Sequence, residues 1–572
     1  MYIVLTPGPG HAQGADASWT LQETDDAGYP SAPEVTVPAR ELPAAVNHFE
    51  QGQVRWVWES AREVYSRLLD AGISVERCHD LALVRNVLAF APSAPSTPYI
   101  DKLRADAPAA DADPAPRQLL PVRPSPDQTS IFDTLDAPEG TPSGPRAATA
   151  AELAAELADQ LEAVRRSAAP SKLNLLAVAE STGGMIAVEM ESAGIPWRRD
   201  IHEAMLLDAL GPRPPEGQRP EKLEQLAAEL RRRLGNPGFN PDSPQELLRA
   251  LHRAGIEVRS TRSWELQQHQ HPAIAPLLEY KKLTRLLTAN GWTWLDAWVD
   301  GGRFRPEYVV GGVVSGRWAS RGGGALQIPK TVRDAVRPDP GRRLIVADAA
   351  QLEPRVLAAL GQDSALAAAA RGKDLYQGIA DRSFDGDRAK AKMAMLGAMY
   401  GATSGESGRL MPVLTRAYPQ AIGVVERGAR AGEAGQVVSS HLGRGCPPAS
   451  AAWFRSQQST SAEEQRRAES LARSRGRFTR NFVVQASAAE WALCWLAEIR
   501  RRLRAASVNI PAGELVFFLH DEVMLHVPAG RVEEVTALVS DAAAAATRLL
   551  FGSIPLEFPV MVTAVDSYAD AK

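Results

Sequence analysis

The chain has 572 residues, which is longer than one ordinary domain, so we expect two to four structural units. Its formal net charge is −4, so DNA or RNA binding would require a local basic channel. The three cysteines, Cys78, Cys446 and Cys494, lie far apart without metal-ligand spacing, which disfavours a disulfide framework and fits a reducing cytoplasm. No run of about 18 apolar residues occurs, so we predict a cytoplasmic protein without a membrane span.

Residues 1–90 have the pattern of a small α/β domain. The runs MYIVLT and SWTLQET are typical of strands, and apolar periodicity predicts helices over 61–71 and around 80–90. Residues 91–148 are dominated by Pro, Ala, Ser and Asp, a composition that buries too little apolar surface to offset its ordering entropy. We therefore predict a flexible linker there.

Helical periodicity returns at Thr149 and continues to about Leu207. The run KLEQLAAELRRRL has a helix stop at Gly235, and Ser243 is the expected N-cap of a further helix. From Gly341 onward, strand-like runs alternate with long helical ones. This pattern predicts an α+β fold with an antiparallel sheet.

Two aspartates follow apolar strands. Asp348 ends the run RRLIVAD, and Asp521 lies in His-Asp-Glu between LVFFL and VMLHV, which predicts a tight hairpin. A helix N-cap explains the first aspartate alone, and a solvated turn explains the second. Two carboxylates at strand ends are nevertheless what a two-metal phosphoryl-transfer site requires.

A third pattern is helical. Arg388, Lys392, Leu396 and Tyr400 lie four residues apart, so they project from nearly one helix face. That face carries two cations at one end and an apolar and an aromatic group at the other. A nucleoside triphosphate has matching chemistry, although a surface Arg–Lys pair is the commoner explanation for such spacing.

In this order, the three patterns resemble motifs A, B and C of family A DNA polymerases, the DNA polymerase I-like group. Further matches are Ser315-Gly316-Arg317 with Leu326-Gln327-Ile328-Pro329, and Asp374-Leu375-Tyr376 before the motif B helix. The resemblance extends from about Leu173 to the C-terminus. It implies a right-hand polymerase of palm, fingers and thumb over 149–572, with thumb and palm in 149–345 and palm, fingers and palm in 346–572.

The resemblance also implies roles for individual residues. Asp348 and Asp521 would bind two Mg²⁺ ions, which Mn²⁺ can replace, joined by the backbone carbonyl of Ala349. Arg388 and Lys392 would hold the dNTP phosphates, with Lys392 as the proton donor to pyrophosphate. The other nucleotide-binding residues would be Glu353 as steric gate, Tyr376, Leu396 and Tyr400. Contacts to primer and template are implied for Arg317, Arg477, Asn481, Gln485 and His520.

The sequence departs from the family pattern at several of these positions. Ala349 replaces the motif A tyrosine, Pro354 a leucine, Leu396 the motif B aromatic residue and Tyr376 a histidine. None of these changes removes a metal ligand, so we expect activity. Speed, fidelity and sugar discrimination are the properties that they put in question.

The N-terminal region resembles the RNase H-like 3′–5′ exonuclease domain of the family. That domain needs four acids that bind two metal ions, but MYIVLT has none, and Val64 stands where an aspartate is expected. Glu23 and Asp80 are more simply interpreted as solvated side chains. We therefore predict that residues 1–90 are a degenerate exonuclease-like domain without proofreading activity.

The linker contains Gln128-Thr129-Ser130-Ile131-Phe132, an island that resembles the short peptides bound by the bacterial sliding clamp. In that reading Ile131 and Phe132 fill an apolar pocket and Gln128 hydrogen-bonds at its rim. The alternative is that Ile131, Phe132 and Leu135 dock onto this protein's own surface and anchor the linker. We expect a nucleoid-associated monomer that binds primer–template DNA and dNTPs. A non-catalytic DNA-binding descendant, a single-subunit RNA polymerase and an exonuclease are alternatives that the motifs favour less.

Overall fold

The computed structural model describes residues 1–8, 18–111, 148–321, 328–372, 374–401, 405–458, 461–507 and 511–571. These residues form two compact units. Unit 1 comprises Met1–Ala193, Glu307–Ser320 and Ile345–Ala564, and unit 2 comprises Gly194–Pro306, Arg321–Leu344 and Val565–Lys572.

The described strands are β1 (Tyr2–Pro7), β2 (Ser18–Thr24), β3 (Val35–Pro38), β4 (Arg55–Trp58), β5 (Cys78–Asp80), β6 (Ile195–Pro196), β7 (Val299–Asp300), β8 (Arg303–Phe304), β9 (Glu307–Val309), β10 (Ala319–Arg321), β11 (Arg342–Ala349), β12 (Glu514–Leu519), β13 (Glu522–Pro528) and β14 (Val560–Val565).

The described α-helices are α1 (Leu42–Glu50), α2 (Ala61–Asp70), α3 (Leu81–Phe90), α4 (Pro98–Asp106), α5 (Ala150–Arg165), α6 (Pro170–Ala193), α7 (Arg199–Leu210), α8 (Glu221–Arg233), α9 (Pro244–Arg253), α10 (Ser263–Leu266), α11 (Ile274–Asn290), α12 (Trp292–Trp298), α13 (Leu352–Gly361), α14 (Ser364–Ala369), α15 (Leu375–Ser383), α16 (Arg388–Tyr400), α17 (Gly405–Ala417), α18 (Pro419–Glu433), α19 (Ala451–Ser456), α20 (Ala462–Ala506) and α21 (Val532–Phe551). Short 3-10 helices lie at Ala39–Glu41, Lys330–Ala335, Ala529–Arg531 and Tyr568–Ala571.

The N-terminal part of unit 1 is built on a five-stranded sheet of order β3-β2-β1-β4-β5. β1 pairs with β2, and β2 with β3, in antiparallel register, whereas β4 and β5 continue the sheet in parallel. Successive β1 residues face opposite sides, so Ile3 and Leu5 join one core and Val4 joins another beneath α5. The strands and helices predicted for this region are confirmed.

Asp80 differs from its expected role as a solvated side chain. It is 2% exposed and caps α3 by accepting from the Leu83 amide, and its second oxygen accepts from the Ala61 amide. Two backbone donors therefore bind this carboxylate, and burial raises its pKa to about 7. Its role in this structure is to join the starts of α2 and α3.

The linker predicted for residues 91–148 is wrong in its first part. Residues 98–106 form α4, and Ile100 is fully buried in a core with Leu173 and Leu176 of α6. Asp111 then accepts hydrogen bonds from the amide and hydroxyl of Ser450. Residues 98–111 therefore pack against the rest of unit 1, while Gln128, Ile131 and Phe132 lie outside the described residues.

α6 connects the N-terminal sheet to the remainder of unit 1 through two adjacent glycines. A Cβ at Gly184 would lie 3.0 Å from Leu83 and 3.3 Å from Asp80, on the side of the N-terminal sheet. A Cβ at Gly183 would lie 3.0 Å from Leu493 and 3.3 Å from Trp318, on the other side. The missing side chains therefore let both neighbours pack closely on one helix.

The second sheet of unit 1 has the order β12-β13-β11-β14. β12 and β13 form the predicted antiparallel hairpin, and buried runs in β11 and β13 hold the sheet in the main core. The central helix of this core is α20, which has 45 residues. By length and composition alone, α20 is also the one described helix that could cross a membrane, but 78% of its apolar window is buried within the protein, as for a core helix.

Unit 2 has its own core, formed by apolar residues of α7, α8, α9 and α11. α8 ends before Gly235 and Ser243 caps α9, as the sequence predicts. A small sheet of order β6-β8-β7 packs Phe304 with Trp197 and Trp294. His202 joins this aromatic cluster and accepts a hydrogen bond from the Trp197 indole at Nδ1.

The first prediction concerns the packing of the N-terminal part on residue 445. A Cβ at Gly445 would lie 1.7 Å from the carbonyl oxygen of Phe90, which is backbone and cannot move aside. We expect Gly445→Ala to lower the free energy of unfolding in urea by about 1–3 kcal/mol. Gly530→Ala is the control, because no atom lies within 4 Å of that added Cβ. Equal stability of the two variants would contradict this packing.

The second prediction concerns acid stability. Burial lowers the pKa of His202 to about 4, and its Nδ1 is already occupied as an acceptor, so protonation opposes folding. The unfolded chain binds this proton near pH 6.5, so the contribution of His202 to stability is present above pH 6.5 and is lost as the pH falls toward 4. The free energy of unfolding in urea, measured at pH 7 and at pH 4.5, should fall less between these pH values in His202→Gln than in the wild type. We expect this difference to be up to about 3 kcal/mol. His48→Gln, at an exposed histidine, is the control; an unchanged pH dependence in His202→Gln would refute the assignment.

Candidate active site

Asp348 and Asp521 come together because their strands are neighbours in the second sheet. The amide of Ala349 donates a 2.8 Å hydrogen bond to the carbonyl oxygen of Asp521. Both aspartates are half-buried, and the residues that precede Asp348 and follow Asp521 are buried. His520, with φ +55°, turns the chain between β12 and β13. The predicted pairing of the two acids at adjacent strand ends is therefore what the structure shows.

The chemistry of these groups fits Mg²⁺. Carboxylate and backbone carbonyl oxygens are the ligands that this ion takes, and it keeps several ligands from water and from substrate phosphates. Within the described ranges, no group of three or more His, Cys, Asp or Glu residues is arranged as a complete metal cage. The two aspartates would therefore hold the ions together with a bound phosphate, and the role of the Ala349 carbonyl remains a prediction.

The predicted nucleotide-binding face lies on α16. Asp387 caps this helix by accepting from the Lys390 amide, and Gly401 ends it in the left-handed conformation. Ala391, Ala394 and Met395 anchor its opposite face in the core. Arg388, Lys392 and Tyr400 are exposed and Leu396 is half-buried, so the polar end of the predicted face is open to a ligand.

Arg388 is held in place by the predicted site residue Tyr376 and by two residues to which the sequence gave no role, Asp374 and Gln351. Its guanidinium donates a 2.6 Å hydrogen bond to Asp374 and lies 5.8 Å from the ring centre of Tyr376. Gln351 donates to the same Asp374 carboxylate and accepts from the Leu375 amide. Partial burial raises the pKa of Asp374, but the hydrogen bond from Arg388 and the positive charge of Arg388 outweigh burial. The pKa of Asp374 is therefore lowered.

Glu353 is the centre of a second cluster. Arg317 forms an ion pair with one carboxylate oxygen, and the Tyr400 hydroxyl donates a 3.0 Å hydrogen bond to the other. Burial and the neighbouring Glu353 raise the pKa of Tyr400. Arg317 was predicted as a primer–template contact, and here it also fixes the predicted steric gate, a pairing that the sequence did not reveal.

A cavity of about 260 Å³ lies between these clusters and the hairpin turn. It brings together Arg317, Glu353, Tyr376, His520 and Asp521. Burial raises the pKa of Tyr376 to about 12, and burial with the charge of Arg317 lowers the pKa of His520 to about 4. The cavity therefore combines an anionic end with a neutral imidazole and phenol.

The remaining predicted contacts lie on α16 and α20, outside the lining of this cavity. Arg477 is exposed, whereas Asn481 and Gln485 are half-buried at successive four-residue steps on α20. The Arg477 side chain packs against the end of α16, since a Cβ at Gly401 would lie 2.8 Å from its Cγ. Neither Lys392 nor Leu396 lines the cavity.

Pro354, which departs from the expected pattern, is accommodated without a break. It is the third residue of α13, in the first turn, where a backbone N–H has no partner within the helix. The chain before it is turned by Gln351, with φ +55°. Glu353 thus stays at the start of an intact helix.

Comparisons with known proteins agree with this geometry. The family model described as DNA polymerase family A matches residues 216–567. The chain belongs to this family. Its relatives include the thermostable DNA polymerase I of Thermus filiformis, 25% identical over 420 residues, which cover 66% of this chain and 46% of the relative. DNA polymerase I of Chloroflexus aurantiacus is 25% identical over 368 residues, covering 56% of this chain and 37% of the relative.

Among solved structures, the polymerase domain of Pol1 from M. smegmatis, in complex with DNA primer-template and dNTP, is similar over 100% of this chain and 95% of that chain. The TM-score is 0.69 at 17% sequence identity, so this likeness concerns the fold. The predicted family A polymerase fold of mixed helices and sheets is confirmed. The chain spans less than half the length of the curated relatives named above.

Proposed function

We propose that this chain is a DNA polymerase that adds dNTPs to a primer 3′-hydroxyl under the direction of a DNA template. The observation that carries the proposal is the hydrogen bond between the Ala349 amide and the Asp521 carbonyl, which holds two carboxylates at neighbouring strand ends. Family membership and the exposed cationic face of α16 support it. In this proposal the second sheet and α20 belong to the palm, and α16 to the fingers.

Asp348 and Asp521 would hold two Mg²⁺ ions, which lower the pKa of the primer hydroxyl and neutralise the leaving pyrophosphate. Mn²⁺ has the same ligand preferences and is expected to substitute. The contribution of the chain itself is to orient these carboxylates before substrate arrives, so that little reorganisation is needed during the reaction.

Arg388 and Lys392 are proposed to bind the triphosphate. Asp374 and Tyr376 hold the guanidinium of Arg388 in position. A phosphate would either replace the Asp374 carboxylate as the partner of Arg388 or bind to the guanidinium beside it. Lys392 lies one turn further along the exposed face and is the candidate proton donor to pyrophosphate. Both roles fit a tail of negative charge that extends along α16.

The nascent base pair would meet Tyr400, Leu396 and Glu353. Because Arg317 and Tyr400 bind the two oxygens of Glu353, the carboxylate has a fixed position from which to exclude a ribose 2′-hydroxyl. Primer and template would contact the predicted minor-groove and terminus residues, namely Arg317, Arg477, Asn481, Gln485 and His520. The acceptors in the minor groove occupy similar places in each correct pair, which suits a sequence-independent enzyme.

The N-terminal part is proposed to be a degenerate exonuclease-like domain without proofreading. Its strand order β3-β2-β1-β4-β5, with β4 and β5 parallel to β1, supports a likeness to an RNase H-like sheet. Val64 is buried where an aspartate is expected, and β1 carries no acid; α5 packs over Val4 and Val57. Asp80 is committed to two backbone amides and so is a poor metal ligand.

Three further expectations rest on sequence alone. They are a clamp-binding peptide at residues 128–132, a monomeric state and a cytoplasmic, nucleoid-associated location. Glu353 in the gate position favours deoxynucleotides over the alternative of an RNA polymerase. Titration of an isolated sliding clamp against the wild type and an Ile131→Ala, Phe132→Ala double variant would test the peptide; equal affinities would rule it out.

The experiment that tests the function is primer extension with Mg²⁺, a DNA template and dNTPs. We expect Asp521→Asn to lower the extension rate at least about a hundredfold, because losing one ligand charge removes several kcal/mol of transition-state stabilisation. Binding of the primer–template should change little. The control is Asp570→Asn, at an exposed residue of unit 2. Normal extension by Asp521→Asn would refute the site assignment, and no extension by the wild type would refute the function.

The absence of proofreading is tested with a 3′-labelled single strand, metal ions and no dNTP. We expect the label to remain, because the N-terminal sheet presents apolar side chains where a metal cluster would be needed. Release of the label that persists in Asp521→Asn would show a second nuclease site and would overturn this proposal.

The last prediction concerns Leu396, which has no ring to stack on the incoming sugar or base. Leu396→Tyr would add an aromatic contact of about 0.5–1.5 kcal/mol, which corresponds to a two- to tenfold change in dideoxynucleotide uptake relative to dNTP. Lys390→Tyr, at an exposed position of the same helix on the side away from Leu396, is the matched control. If both variants behave like the wild type, Leu396 does not face the nucleotide.

A further inference from the structure

A buried ion pair lies behind the turn that carries Arg317. Arg444 donates a hydrogen bond to Glu180 on α6, and their side chains are only 9% and 2% exposed. Ion pairs at this depth lose as much hydration as they gain in attraction, so they contribute little net stability compared with apolar packing. What such a pair supplies is a fixed geometry, because the charged groups have few alternative positions.

Arg444 is itself held by its own loop. Its amide donates a 2.8 Å hydrogen bond to the Ser440 hydroxyl, and the Ser440 amide donates a 2.9 Å bond to the Arg444 carbonyl. The Ser440 hydroxyl and the Leu442 amide both donate to Glu490 of α20. The loop is thus attached to α20 and, through Glu180, to α6.

The guanidinium of Arg444 packs against the backbone of Gly316. This glycine has φ +82°, and a Cβ there would lie 2.6 Å from Arg444 Nε and 2.9 Å from Cζ. Gly316 closes a tight turn, since its amide donates to the Val313 carbonyl and the Val313 amide donates to the Arg317 carbonyl. Glycine is therefore required twice, by the backbone angle and by the arginine that lies on it.

The other side of Arg317 is anchored as well. Trp318 is buried and packs edge-on against Phe518 of β12, with ring centres 5.0 Å apart. Arg317 therefore projects between two fixed neighbours, Gly316 under Arg444 and Trp318 on the strand that leads to the hairpin turn. Its side chain reaches Glu353 from this position.

We propose that Arg444, held by Glu180, is a positioning residue that fixes the turn at Gly316 and so aims Arg317 at Glu353 and at the base pair being formed. This inference rests on the proposed polymerase function. Arg444 does not touch substrate in this proposal; its effect on nucleotide selection passes through Arg317.

The test is a comparison of Arg444→Lys with the wild type in single-nucleotide extension from matched and mismatched primer ends. A lysine can still pair with Glu180 but has no planar group to lie on Gly316. We expect kcat/KM for matched extension to fall at least about tenfold, since small displacements of a positioning group cost up to about a hundredfold. Mismatched extension should fall less, so discrimination decreases.

A double-mutant cycle with Arg317→Ala separates a positioning role from an independent one. If Arg444 acts through Arg317, Arg444→Lys should cause no further loss in the Arg317→Ala background. Multiplied losses, or equal losses for matched and mismatched ends, would overturn the inference. Wild-type discrimination in Arg317→Ala would also overturn the inference. This conclusion requires that Asp521→Asn abolishes extension, because that result supports the proposed function independently. No extension by the wild type would instead show that the proposed function is wrong.

The matched control is Arg500→Lys. Arg500 is a buried arginine that pairs with the half-buried Glu189 and also donates to the Val75 and Glu76 carbonyls, far along the chain from the Gly316 turn. This variant should lower stability without changing discrimination. If Arg444→Lys does not fold, Gly316→Ala serves in its place, because its Cβ displaces the guanidinium while leaving both charges; unchanged discrimination in that variant would also refute the proposal.

Discussion

The hydrogen bond from the Ala349 amide to the Asp521 carbonyl is the constraint on which the site depends. It joins two strands that end in carboxylates, and carboxylates held close together repel one another unless a cation lies between them. The strand segments next to both aspartates are buried in the main core, so the sheet holds the two residues in place. The packing of this sheet is thus what fixes the position of both acids.

The charged groups around the aspartates are already paired with each other. Arg388 binds Asp374, and Arg317 and Tyr400 bind Glu353. In the proposed function, an incoming dNTP would compete with protein carboxylates or share their cations. This competition would weaken the binding of a simple anion more than that of a ligand that makes all the contacts at once. Discrimination between a dNTP and a simple anion would come from these existing pairs as much as from the contacts that the dNTP makes.

Sequence patterns predicted the parts of the site that short-range geometry determines. Strand periodicity placed Asp348 and Asp521 at strand ends, and helix periodicity placed the four-residue steps of α16 on one face, whereas the roles of these residues came from the family resemblance. The contacts of Asp374 with Arg388 and of Gln351 with Asp374 were missed because nothing in the local sequence distinguishes a helix cap from a partner of an arginine. The Glu180–Arg444 pair joins residues 264 positions apart, a distance at which a single sequence carries no signal.

The error over residues 91–111 has a related cause. Their composition is that of a linker, yet Ile100 of α4 is buried with apolar residues of α6, and Asp111 caps the loop at Ser450. These contacts offset the entropy cost of ordering the segment. The composition alone suggests that this cost is too large to be offset.

The same helix, α6, also explains how an N-terminal sheet without the expected acids retains a structural role. Gly183 and Gly184 let the helix approach the N-terminal sheet on one side and Trp318 and Leu493 on the other. Glu180, one turn earlier, pairs with Arg444 behind the Gly316 turn. Met185 and Val188 of α6 are buried in the core of the N-terminal sheet, so this sheet supports the helix that carries Glu180.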